Sequence, residues 1–214
     1  MQLTVSEYAH RSGLSERRVR QLVKDGELAA SRAGRIWIIE TPGSMPRRLP
    51  GRPMSAQNAL LLARWLEGLD VDAQRSHRFR GIASRLSAED HPELLLASLL
   101  ARRARRKVYA VQDGDLPELR EDSRMKLSGV SHEQSGLLAA REVEGYVSPD
   151  DLESVVRDYL MVETPVGKGS VLLHVAELNG PVPPLFVAAD LSERGGVREL
   201  QASREIIREQ VGRD

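Results

Sequence analysis

"LSERRVRQLVKDGELAASRAGRIWII", residues 14–39, is the stretch on which the fold turns. Ser15 can cap a helix, and "ERRVRQLVKDG" after it has helical periodicity. Val19, Leu22 and Val23 fall on one stripe, which leaves Glu16, Arg17, Arg18, Arg20, Gln21 and Lys24 to solvent. Asp25-Gly26 stops that helix. "ELAASRAGRIWII" then reads as a β-hairpin. Leu28–Ala30 and Ile36–Ile39 flank "SRAGR", a turn containing glycine, with Arg32 and Arg35 at its tip.

Working back toward the N-terminus, Thr4 can cap an earlier helix, and Glu7, three residues on, completes a capping box. Val5, Tyr8 and Ala9 share a face of that helix. Ser12-Gly13 ends it, Gly13 taking a left-handed position cheaply, and Leu14 packs inward as the turn. Two short helices joined by a tight turn, the second carrying cations, form a helix-turn-helix arrangement. A hairpin tip with two arginines has the shape of a wing that reaches phosphates or the minor groove. Position by position, the competing reading is a solvated basic face; the constellation as a whole favours DNA.

Thr4-Val5-Ser6-Glu7, Gly13-Leu14-Ser15, Val19, Leu22, Gly26-Glu27-Leu28 and "AGRIWII" together resemble the winged helix-turn-helix of the MerR and phage-excisionase group, over residues 1–40. The resemblance implies that Arg17, Arg18 and Gln21 face the major groove and that Arg32 and Arg35 touch the backbone. The expected DNA-binding set is Ser15, Arg17, Arg18, Arg20, Gln21, Lys24, Arg32 and Arg35. MerR-type regulators usually continue into a long dimerising coiled coil, and no sustained heptad follows here.

Residues 41–54 read as a Pro/Arg-rich linker, because "ETPGSMPRRLPGRPMS" cannot continue a helix or a sheet. Arg47, Arg48 and Arg52, spaced between its prolines, suit either a basic arm on phosphates or an ordinary solvated linker. Residues 55–214 read as an interaction domain, first helical and then α+β. "SAQNALLLARWLEGL", the basic "QRSHRFRGIASRLS" and "HPELLLASLLARRARR" are its helices, with Pro92 in a first turn. Arg102, Arg103, Arg105 and Arg106 end the third helix as its dipole favours, and a strand "KVYAVQ" follows. Nucleic acid, an acidic partner and plain solvation all remain open for these four. Strands are expected around Met125–Leu127, at Val143–Val147 and in "GSVLLHVAEL". Ser148-Pro149 opens a helix, and a final helical pair breaks at Gly195-Gly196. The expected class is α+β: an N-terminal winged helix-turn-helix, a helical middle segment, and a small C-terminal sheet covered by helices.

The 214 residues are 41% hydrophobic but only 4% aromatic, so the core must rest on Leu, Val, Ile and Ala. There is no cysteine, which removes disulfides, thiolate metal sites and a cysteine nucleophile. No signal pattern opens the chain and no apolar run approaches bilayer length, so a cytoplasmic protein with no membrane partner is expected. The net charge of zero hides an asymmetry: residues 1–52 carry 10 Lys/Arg against 5 Asp/Glu, and residues 108–214 carry 11 against 20. A basic front and an acidic back suggest two different partners; arginine-rich composition and simple solubility are the plainer explanations.

Catalytic signatures are scarce. His10, His77, His91, His132 and His174 are scattered without metal-ligand spacing. "PVGKGS" lacks the first glycine of a P-loop and reads as a turn before a strand. "GSVLLHVAEL" is not followed by the paired acids that hold two metal ions. Asp150-Asp151 and Asp113/Asp115 fit helix capping and loop solvation. The expectation is a non-enzyme with no cofactor and no metal site.

"GRPMSAQNALLLARWLEG", "LSGVSHEQSGL" and "EGYVSPDDLESVVRDYLMV" make the whole chain similar to helix-turn-helix proteins encoded beside nucleotidyltransferase toxins, broadly the AbiEi antitoxins. That resemblance implies double-stranded DNA of the protein's own promoter as one partner. It implies a toxin, bound by the C-terminal half, as another. A homodimer would cover two half-sites. The alternative is a stand-alone transcription factor or excisionase-like protein whose C-terminal half dimerises or senses a ligand.

Overall fold

Buried apolar side chains gather in three clusters. The first draws only on residues before 40; the other two draw only on residues after 52. The computed structural model describes residues 2–12, 14–24, 28, 30–34, 36–40 and 52–212. The expected glycine turn at Gly13, the stop at Asp25-Gly26, the Gly26-Glu27 pair, Arg35 and linker residues 41–51 lie outside the described residues.

The N-terminal unit contains β1 (Gln2–Thr4), α1 (Val5–Ser12), α2 (Glu16–Lys24), β2 (Ala30–Ala33) and β3 (Ile36–Glu40). Its strands form an antiparallel sheet in the order β1-β3-β2. The capping box is present. The Thr4 N–H donates to the Glu7 carboxylate at 2.8 Å, and the Glu7 N–H returns to Thr4 Oγ1 at 3.2 Å. Ser15 Oγ accepts the Arg18 N–H at 3.3 Å and caps α2. Gly34 turns the β2–β3 hairpin at φ +62°, a conformation an L side chain resists. β1 was not anticipated: three residues are too short to show a period, and the strand exists because it pairs with β3, Leu3 opposite Ile39.

Met54, the last residue of the expected linker, is buried, and its N–H bonds Leu99 O at 2.8 Å. Helices α3 (Ala56–Leu66), α4 (Ala73–Ala88) and α5 (Pro92–Leu99) precede β4 (Arg105–Ala110) and α6 (Leu116–Glu121). Next come β5 (Lys126–Leu127), β6 (Val143–Val147), α7 (Leu152–Asp158), β7 (Val162–Glu163) and β8 (Val171–Val175). The long helices α8 (Pro184–Arg194) and α9 (Val197–Val211) close the chain. α7 starts later than the sequence suggests, because Ser148 Oγ and Asp151 first close a turn on each other at 2.7 and 3.0 Å.

The five strands run in the order β5-β6-β8-β4-β7, antiparallel except for the parallel pair β6–β8. Mixed α and β structure with two small sheets is therefore the architecture. One face of the larger sheet presents Tyr109, Val143, Val147, Val171, Leu173 and Val175 to Leu116 and Leu119 of α6 and Leu152 and Val155 of α7. Alternation puts Glu144, Tyr146 and His174 on the opposite face, toward α8. The second glycine of "VGKGS" has a packing role. A Cβ on Gly169 would run into the Tyr109 carbonyl of β4.

Among the described residues, no helix is long and apolar enough to cross a membrane.

Candidate nucleic-acid interface and a buried ionic core

Helix α2 is held from behind by Val19, fully buried against Val5, Ala9 and Ile39. Fixing that one side fixes the other: Ser15, Arg17, Arg18, Arg20, Gln21 and Lys24 are all exposed. They do not have equal freedom. Ser15 Oγ is occupied as the cap. The Arg20 guanidinium meets Glu16 one turn back at 2.6 Å, an exposed pair of small energetic weight. Arg17, Arg18 and Lys24 have no ion pair within the described residues. Arg32, on β2, sits 5.6 Å over the Trp37 ring of β3, which steadies its guanidinium at the hairpin. The fold thus brings the expected α2 residues onto one outward face. Planar guanidiniums on such a face can grip phosphates or a guanine edge bidentately, and Gln21 offers the donor and acceptor that suit adenine.

A second polar centre lies between the larger sheet and α8, and it was not foreseen. Arg103, grouped by sequence with Arg102, Arg105 and Arg106, is buried. Its guanidinium contacts Asp190, reaches Glu193 at 2.9 and 3.1 Å, and approaches Tyr146 Oη at 3.0 Å. Arg106 reaches the same Glu193 at 2.9 Å, while Arg102 and Arg105 are exposed. On the same sheet face, His174 Nε2 lies 3.0 Å from Glu144 Oε1 and 3.4 Å from Asp190 Oδ1. Arg194 Nε donates to Glu144 Oε2 at 2.7 Å, and Ser128 Oγ donates to Asp190.

Burial alone would lower the proton affinity of Arg103, but Asp190 and Glu193 outweigh it and hold the guanidinium well above its ordinary value. Burial pushes Glu144 up, yet His174 and the charge of Arg194 hold the carboxyl below its usual range. His174 Nδ1 is buried without a hydrogen-bond partner among the described residues. His174 is thus a buried histidine hydrogen-bonded through Nε2 alone among the described residues.

Glu144, His174 and Asp190 stand close enough to share a metal ion, their ligand atoms all within 4.8 Å. The charges around them argue for a different role. Glu144, Asp190 and Glu193 already face Arg103, Arg106 and Arg194, so a dication would enter a cluster in charge balance. Glu144, His174 and Asp190 are each at most 1% exposed, which seals them from substrate. The cluster is a buried ionic network that links α8 to the sheet.

The chain matches no family model, no curated protein and no solved structure.

A shallow groove of about 790 Å³ opens on the opposite side of the sheet, lined by Asp115, Glu118, Glu121, Asp122, Arg124 and Asp158 among others. Hydrogen bonds from Arg124 dominate the state of Asp122, whose carboxyl falls to about 2. Beside the groove, Leu160 is 77% exposed and Val162, on edge strand β7, is 65% exposed. Four of its acids, Asp115, Glu118, Glu121 and Asp122, come from the single stretch "DLPELRED", of which Asp115 alone stands out in sequence, as a capping or loop residue, and Asp158 joins them from the end of α7.

Proposed function

We propose that the protein is a sequence-specific DNA-binding transcriptional autoregulator. Its N-terminal unit is read as a winged helix-turn-helix and its C-terminal half as the seat of a protein partner, in the manner of an antitoxin. The observation that carries the DNA reading is the outward face of α2. Arg17, Arg18, Gln21 and Lys24 stand exposed there on a helix clamped by Val19. A three-stranded antiparallel sheet with Arg32 on its hairpin lies in the same small unit. α2 is then the major-groove helix and the hairpin the wing on the phosphate backbone.

The partner reading is supported by the acidic C-terminal half and by the groove beside exposed Leu160 and Val162. A basic protein surface, including that of a toxin, complements those charges.

Arg18→Ala and Gln21→Ala test the recognition helix. Each weakens binding to the promoter by about 1–3 kcal/mol if it reads a base, with little effect on random DNA. Promoter binding that both variants leave intact would remove α2 from the interface.

A further inference from the structure

Helix α4 carries Arg75, Arg78, Arg80 and Arg85 and no carboxylate anywhere along Ala73–Ala88. Phe79, Ile82 and Leu86 bury one side of it. The outward side holds Gln74, His77, Arg78, Gly81, Ser84 and Arg85, all exposed. Arg75 is neutralised by Asp72 at 2.8 Å. Arg78, Arg80 and Arg85 have no ion-pair partner among the described residues.

Two features of this helix gain nothing inside the molecule. Arg78 and Arg80 stand with no acid one turn away in either direction, so neither gains the i,i+3 or i,i+4 pairing that Asp72 gives Arg75. Gly81 sits mid-helix, where alanine would be better, yet nothing lies within 4 Å of the place its Cβ would take. Internal packing therefore gives no reason for a glycine there. A molecule approaching from outside does: Gly81 leaves the centre of the face open, with Arg78 and Arg85 two turns apart along one flank and Arg80 on the other.

We infer that the outward face of α4 is a second nucleic-acid contact, a clamp on the phosphate backbone, separate from the recognition helix. The inference rests on the DNA-binding reading above. A phosphate backbone fits better than an acidic protein. Protein interfaces centre on apolar or aromatic side chains, whereas this face offers cations around glycine and serine. Phosphate contacts need only that.

The test compares the full-length wild type with an Arg78→Gln/Arg80→Gln/Arg85→Gln triple variant and with Arg17→Ala/Arg18→Ala. Each is titrated with promoter DNA and with random duplex across a salt series. The three positions are exposed, and a thermal melt checks that the fold is retained. The triple variant should bind both DNAs more weakly, keep its preference for the promoter, and lose about two to three from the slope of log K against log salt. The α2 variant should lose the preference instead. An unchanged slope in the triple variant, beside a wild type that binds the promoter, overturns the clamp and leaves the α2 reading standing. Retention of the wild type on immobilised polyglutamate that the triple variant loses, with DNA slopes equal, would assign the face to an acidic protein and also overturn it. A wild type that binds neither DNA overturns both readings.

Discussion

At the scale of single residues, Arg103 is the side chain on which most depends. Its guanidinium is shared between Asp190 and Glu193 in a setting where all three are at most 4% exposed. Removing one partner of such a pair leaves a buried charge uncompensated, which costs about 3–5 kcal/mol. Arg103→Met should therefore lower stability by that order in urea unfolding. A loss below about 1 kcal/mol would mean that Asp190 and Glu193 are neutral or solvated without it. Asp122 makes the corresponding prediction for pH. Its folded-state carboxyl is depressed from 3.8 to about 2, so its contribution is present above the unfolded value and is lost as pH falls through that window. Asp122→Asn should destabilise the protein at neutral pH and make acid unfolding between about 3.8 and 2 shallower. Identical acid-unfolding profiles for the two proteins would sink that assignment.

At the scale of elements, sheet closeness depends on what glycine leaves out. Gly169 lets the turn before β8 lie against the Tyr109 carbonyl of β4. Gly169→Ala should separate the β4–β8 pair at that end and destabilise the C-terminal unit by more than 1 kcal/mol. A melt within a few tenths of a kcal/mol of wild type would show that the neighbouring backbone yields. The same scale shows why some elements were legible and others were not. Thr4 with Glu7 and Ser15 before α2 are local signals, decided within three or four residues, and they point to the right helices. The break at Gly195-Gly196 is equally local, Gly195 taking φ +74° at the end of α8. β1 and β7, of three and two residues, carry no pattern of their own and exist through their pairing. The ionic core is harder still to read. Arg103 and Asp190 are 87 positions apart, and an arginine inside "ARRARR" looks solvated. The available signal lay with its partners: Glu144, His174 and Asp190 each interrupt an apolar run, in "VEGYV", "VLLHV" and "FVAADLS". A charge in such a place needs a buried partner.

At the scale of the whole molecule, the division of charge matches a division of surfaces. The cations of α2, and those of α4, face outward from helices whose opposite sides are firmly buried. The acids of the C-terminal half line an open groove beside exposed leucine and valine. If the proposed DNA contact and the proposed protein partner use these separate surfaces, the two activities should be separable. Substitutions of Glu118 and Glu121 to Gln in the groove should leave promoter affinity within about twofold, since rim charges distant from an interface act weakly through salt-screened solvent. A tenfold change in promoter affinity would tie the groove to DNA instead. The most direct test of the central claim is a titration of the full chain against its own upstream DNA at 50 and 200 mM salt, with random competitor present. Selective binding whose affinity falls steeply between the two salts is the predicted result. Binding that is absent, or indifferent to sequence, would contradict it and reduce the face of α2 to a solvated basic surface.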